Sequence, residues 1–309
     1  MSFEYTFSQE QSAEANNISI CYQTIGDPQG SPLLLVMGLG VQMIGWPPKF
    51  CQMLAEAGFY VIRFDNRDVG KSTQFDDAPA LRKREIMGNH LFGRNFPIKY
   101  TLDDMADDAV GLLDALNIDA AHIVGASMGG MISQLITLNH PERVLTLTSI
   151  MSTTNERDLP QATVKARAIL LKPRPTEFEK YLQTAITSFE YFNGTTFAYD
   201  EEYMRNYLTE SWERASSITG VGRQLAAVLN TPGRRKRLRE VTTPTLIIHG
   251  DADPLVPYPH GIDTAEAIPT ARLVTIRGMG HTLPHDAWPT MVQAISQHAQ
   301  VIKREPTLV

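Results

Sequence analysis

The run LLLVM at residues 33–37 constrains this chain most, because five apolar residues follow one another and stop abruptly at Gly38. A strand without polar alternation cannot face water on either side. It belongs in a sheet covered on both faces, the setting of parallel α/β sheets. The surrounding segments agree. KFCQMLAEAGF (49–59) has helical spacing and ends near Gly58, and 60–64 reads as another strand. Thr101 with Asp103 and Asp104 opens a helix running to about 116, Thr101 as N-cap and Asp104 at the third helical position. Residues 121–124, 128–138 and 144–149 read as strand, helix and strand. Such alternation predicts a parallel α/β fold. Upstream, 3–7 and 18–25 read as two exposed edge strands closed by the turn GDPQGSP, and 74–99 is polar and irregular.

The alternation fails from 152 to 241, where only helical patterns occur, and resumes with strands at 245–249 and 272–276 and helices at 260–267 and 286–302. A helical block inside an α/β frame reads as an inserted cap. The division expected is core 1–151, cap 152–241 and core 242–309. The basic run RRKRLRE (234–240) at the end of the block reads as a solvated helix face.

A net charge of −6 argues against a nucleic-acid or anionic-membrane binder. The N-terminal 17 residues are polar, and no apolar stretch approaches the ~18 residues of a membrane span, so the expected location is the cytoplasm. The two cysteines, Cys21 and Cys51, are expected to be buried reduced thiols. The histidines and acids show no metal-ligand spacing, so neither metal nor cofactor is expected.

The chemistry concentrates in three loops. Gly125-Ala126-Ser127-Met128-Gly129 matches G-x-S-x-G between a strand and a helix, which would lift the serine hydroxyl free at the carboxyl end of the sheet. A serine needs a base. Of eight histidines, His281 in GMGHTLPH sits on a glycine-flanked loop after the last strand, with His285 as its rival. The base needs a carboxylate, and HGDADPLVP supplies Asp251 and Asp253. Asp253, deeper in the loop and followed by Pro254, is the expected orienting acid, and Asp251 a turn residue. Asp65, Arg67 and Asp68 read as an ion-paired turn behind the site.

These three loops, in the order Ser127, Asp253, His281, resemble the α/β-hydrolase family, as does FDNRDVGKS at 64–72. VMGLGVQMIGWP with RFDNRDVGKST is more closely similar to the small-molecule esterase branch that includes the aclacinomycin methylesterases. The resemblance implies an eight-stranded, mostly parallel sheet with helices on both faces and a helical cap after strand six. It further implies a serine esterase cleaving small-molecule carboxylic esters through an acyl-enzyme, with Leu39 and Met128 donating backbone N–H groups to the oxyanion. Trp46 is expected in the pocket wall. The family's usual His-Gly before the oxyanion loop is Met37-Gly38 here, which removes a histidine's hydrogen bonds to neighbouring loops. Enol-lactone hydrolysis, C–C bond hydrolysis and perhydrolysis use the same serine elbow, and a non-enzymatic receptor could keep the fold. The sequence leaves a monomer and a homodimer both open.

Overall fold

Along β3 (Ser31–Val36) successive side chains leave on opposite faces, and both faces are dry. Leu33 and Leu35 pack with Phe50 and Leu54 of α1 (Pro48–Glu56) and Met291 of α10 (Trp288–Ala299). Leu34 and Val36 pack with Leu102 and Met105 of α2 (Leu102–Ala115) and Ile132 of α3 (Met128–Asn139). Two hydrophobic layers therefore sandwich one sheet. The computed structural model describes residues 5–76, 96–215 and 220–301.

The remaining strands are β1 (Gln11–Ala15), β2 (Ile18–Ile25), β4 (Phe59–Phe64), β5 (Ala121–Ala126), β6 (Val144–Ile150), β7 (Thr245–Gly250) and β8 (Ala271–Ile276). They form an eight-stranded sheet in the order β1-β2-β4-β3-β5-β6-β7-β8. β1 and β2, and β2 and β4, pair antiparallel, and every other pair is parallel. The expected sheet and flanking helices are therefore present. The Thr101 side chain accepts from Asp104 N–H while the Asp104 carboxylate accepts from Thr101 N–H, the reciprocal cap expected for α2.

The first edge strand lies later than expected. Residues 5–10 form no strand, and 3–4 lie outside the described residues. β1 is set by a two-residue turn instead. Asn16 and Asn17 both take positive φ, 47° and 62°, which joins 11–15 to 18–22 as a tight hairpin. Of the stretch 74–99, residues 77–95 lie outside the described residues, as does residue 302 of the expected last helix, which ends at Ala299.

Between β6 and β7 the chain runs through α4 (Val164–Leu170), α5 (Phe178–Phe192), α6 (Glu201–Arg214), α7 (Gly220–Asn230) and α8 (Arg235–Leu238), and α9 (Pro259–Ala267) follows β7. The inserted helices are fastened to the loop after β4. Arg214 pairs with Asp65 at 2.7 Å, and Arg223 makes two bonds of 2.7 Å to Asp68. Arg67 turns the other way and grips Asp108 of α2 with two bonds of 2.6 Å. Asp65, Arg67 and Asp68 are thus buried braces, in keeping with their sequence reading. The basic run departs from its reading at one position. Arg234 is buried, held by the Gln134 side-chain oxygen and the Thr153 carbonyl, and burial pulls its pKa down to about 10. Its neighbour Arg235 pairs with Asp158 and Asp263, and Arg237 meets Asn139 in the open. Cys21 and Cys51 are free and buried, and desolvation raises both thiols, to about 11 and about 12.

Candidate active site

β3, β5, β7 and β8 run parallel, so the loops that follow them converge at one edge of the sheet. Ser127 stands between β5 and α3 with φ 56° and ψ −120°, a strained conformation for a residue with a side chain. The turn tolerates it because the residues two before and two after it are glycines. A Cβ on Gly125 would collide with the Gly129 carbonyl and the Ser133 hydroxyl, and one on Gly129 with the Val36 carbonyl. The backbone is held from both sides. Ser127 N–H donates to the Ile150 carbonyl at 2.9 Å, and the Ser152 hydroxyl donates to the Ser127 carbonyl at 2.7 Å.

The His281 loop approaches from β8. Its start is held by Asp251, whose carboxylate accepts from Gly278 N–H. Its far side is held by the end of α5. Gly280 N–H donates to the Asn193 carbonyl and His281 N–H to the Phe192 carbonyl, while Thr282 Oγ1 donates to Asn193 Oδ1. So fixed, the imidazole places Nε2 2.9 Å from Ser127 Oγ and Nδ1 2.7 Å from Asp253 Oδ2. Asp253 is buried. Its second oxygen accepts from Leu255 and Val256 N–H, both at 2.8 Å. Burial works to raise its pKa, but the facing His281, then His249, then the Val256 N–H outweigh it and hold the carboxyl below its ordinary value. The structure thus brings Ser127, His281 and Asp253 into one hydrogen-bonded row.

Gly38 lies directly against the serine, since a Cβ there would sit 3.2 Å from Ser127 Cβ. Among the described residues, neither the Leu39 nor the Met128 N–H has a hydrogen-bond acceptor. Ser127, His281, Gly38, Leu39 and Met128 all line a cavity of about 1540 Å³. The core supplies part of its wall, and the inserted helices much of the rest. Among the described residues no cluster of three or more histidine, cysteine or acidic side chains is arranged to hold a metal, and no helix is long and apolar enough to cross a membrane.

A family model described as the alpha/beta hydrolase fold matches residues 31–287. The chain belongs to the alpha/beta hydrolase fold family. It is 31% identical over 307 residues to rhodomycin D methylesterase DauP of Streptomyces sp. strain C5, covering 92% of this chain and 96% of that one. Rhodomycin D methylesterase DnrP of Streptomyces peucetius is 30% identical, with the same coverage of both chains. Among solved structures, the esterase EaEST from Exiguobacterium antarcticum matches with a TM-score of 0.72 at 21% identity, over 94% of this chain and 99% of that one. At that identity the likeness speaks for the alpha/beta hydrolase fold alone.

The other histidines of this alpha/beta hydrolase make their contacts with groups other than Ser127. His285, the rival base, faces Asp200, Tyr203 and Trp288. His122 meets Ser31 and Thr146, and His140 meets Asp107. His249 is buried behind Asp253, donating to the Val256 carbonyl, and desolvation lowers its pKa against the pull of Asp253. Two of them do reach the cavity wall: His285, and His260, which is pinned between Thr153 and the Pro160 carbonyl.

Trp46 does not line the cavity. Its side chain is fully buried and stacks on Phe50, because the 3-10 turn Met43–Gly45 directs it back into the core. Its neighbours Val41, Gly45 and Pro47 reach the wall instead. The wall aromatics are Phe189, Phe192, Tyr199, Tyr203 and Tyr207 of the inserted segment, none of which was singled out as a contact from sequence. Phe178, Tyr181 and Trp212, with the same helical spacing, pack on one another away from it. No local signal separates the two groups; the packing of α5 on α6 decides it.

Proposed function

We propose that this alpha/beta hydrolase is a serine carboxylic ester hydrolase that cleaves esters of bulky, largely apolar small molecules through an acyl-enzyme. The observation that carries the reading is the row Ser127 Oγ–His281 Nε2–Asp253, at 2.9 and 2.7 Å, opening on one large cavity. The identity with two methylesterases supports an ester substrate. A cavity of about 1540 Å³ supports a large one, since ordinary ligand pockets are ~300–1,000 Å³.

The chemistry follows the positions. Ser127 Oγ attacks the ester carbonyl carbon while His281 Nε2 takes its proton. Asp253 holds the Nδ1–H tautomer and steadies the imidazolium. The tetrahedral oxyanion takes the Leu39 and Met128 N–H groups, each such donor being worth roughly 3–4 kcal/mol in the transition state. The C–O bond to the alcohol breaks, and His281 returns its proton to the departing oxygen. Water, deprotonated by the same nitrogen, then releases the acid. The helices between β6 and β7 act as the cap, so the active unit is a core of 1–151 and 242–309 closed by 152–241.

The test is hydrolysis of p-nitrophenyl esters of graded acyl length, with methyl esters and lactones alongside. Ser127→Ala should abolish turnover with an unchanged circular dichroism spectrum, and a fluorophosphonate should label one equivalent of Ser127. Turnover by Ser127→Ala at the wild-type rate would overturn the proposal.

A further inference from the structure

The Leu39 N–H can serve an oxyanion only if its peptide is held still, and Met37 offers no imidazole to hold it. The loop is held through its backbone instead. Asn66 Nδ2 donates to the Met37 carbonyl at 2.9 Å, pinning the peptide before the one that carries the Leu39 N–H. The peptide after it, from Leu39 to Gly40, is pinned by Gln224 of α7, whose Oε1 accepts from Gly40 N–H at 2.8 Å. The donor peptide therefore lies between two peptides, each gripped by a buried side-chain amide.

Gln224 does more than Asn66. Its Nε2 donates to the Arg67 carbonyl at 2.7 Å, so a single amide ties the loop after β3 to the loop after β4. The amide has one possible orientation, because an N–H can meet only its oxygen and a carbonyl only its nitrogen. The side chain is fully buried, so no water competes for either bond. One turn earlier on the same face of α7, Val221 closes on Gly40, where an added Cβ would stand 2.9 Å from a valine methyl. Gly40 itself takes φ 69°, a conformation open to glycine and held there by both contacts.

We propose that Gln224 is a positioning residue for the oxyanion loop, so that the inserted helices set the geometry of the hole as well as the shape of the pocket. The inference rests on the esterase reading above and goes beyond it by giving Gln224 a share in transition-state stabilisation. Gln224→Leu removes both bonds. Gln224→Met, close to glutamine in length and shape, also removes both bonds and guards against a leucine variant that does not fold. Both are measured per fluorophosphonate-titrated site, for kcat and KM on a p-nitrophenyl ester and for Ki of a trifluoromethyl ketone that forms an oxyanion adduct with serine.

Displacing the donor should lower kcat of Gln224→Leu by about 10–100-fold with KM nearly unchanged. Ki for the ketone should rise by the same factor as kcat/KM falls, and Gln224→Met should lose as much as leucine. A merely structural role would lower the melting temperature and the number of titratable sites, leaving kcat per site and Ki at wild-type values. That result in whichever variant folds overturns the inference. Failure of the esterase reading is distinguishable, because it shows in the wild type as the lack of Ser127-dependent hydrolysis.

Discussion

The Arg223 guanidinium holds the Asp68 carboxylate by two hydrogen bonds, Nε to Oδ2 and Nη2 to Oδ1, each 2.7 Å long. Both side chains are almost wholly buried, 4% and 0% exposed, so neither charge has water to fall back on. Arg223→Met should cost about 3–5 kcal/mol, because it strands a buried carboxylate. Adding Asp68→Asn to that variant should recover part of the loss, and asparagine tolerates the positive φ of 68° at this position. Urea unfolding of the single and double variants measures both. A loss below about 1 kcal/mol for Arg223→Met would put the pair in the class of exposed surface bridges.

Asp253→Asn should act through the wrong histidine tautomer. Leu255 and Val256 N–H both need an oxygen at the Oδ1 position, so the asparagine amide oxygen stays there and its NH2 faces His281. His281 Nδ1 must then accept, and the ring proton moves to Nε2, aimed at the Ser127 hydroxyl it should deprotonate. The expected fall in kcat is about 10⁴-fold, the size seen when a triad acid is replaced in this way. Steady-state kinetics on the ester that turns over fastest decides it, and a fall of less than about tenfold would remove Asp253 from the mechanism.

The parts that were readable in the sequence are those whose cause is local. The run 33–37 announces its own burial, Thr101 and Asp104 cap each other three residues apart, and Gly125 and Gly129 are small because they bracket Ser127. What was missed depends on partners far along the chain. β1 is polar, QSAEA, and its clue was the Asn16-Asn17 pair rather than any hydrophobic alternation. Trp46 follows Gly38 and Gly40 by only a few residues, yet a 3-10 turn sends it into the core. Arg234 belongs to a basic run but is buried against Gln134, a hundred residues earlier. Phe189 and Phe178 lie on one helix and both pack on the apolar cluster between α5 and α6, yet only Phe189 also reaches the cavity wall.

Acid should destabilise the fold before any carboxylate of the site is protonated. Burial holds His249, His260 and His298 below the ordinary histidine value, against the smaller upward pulls of Asp253 and of backbone carbonyls. A group whose pKa is lower folded than unfolded makes the unfolded chain the better proton acceptor. The stability these rings confer is complete above the unfolded histidine value of ~6.5 and is lost as pH falls toward their folded values. The lowered Asp253 carboxyl adds a second loss only further into acid, below the ordinary aspartate value of ~3.9. The melting temperature should therefore fall as pH drops below about 6.5. His298→Gln keeps a donor for the Pro244 carbonyl and should shallow that fall. An equally steep acid limb in the variant would show that His298 contributes nothing to it.

Restoring the family's usual histidine at position 37 should harm this enzyme. Met37 is 6% exposed and packs in the apolar layer that contains Trp46, Phe50 and Ile150. An imidazole there needs polar partners for both nitrogens. The Asn66 amide is committed to the backbone carbonyl of residue 37, and the Gly40 N–H to Gln224. Leaving a buried polar group unsatisfied costs about 1–3 kcal/mol. The loop that a histidine would brace is already braced through its main chain, so Met37→His should lower the melting temperature without raising kcat. Differential scanning calorimetry with ester kinetics on the same preparation tests both halves. A variant that is as stable as wild type and faster would mean that the amide clamps leave the loop loose.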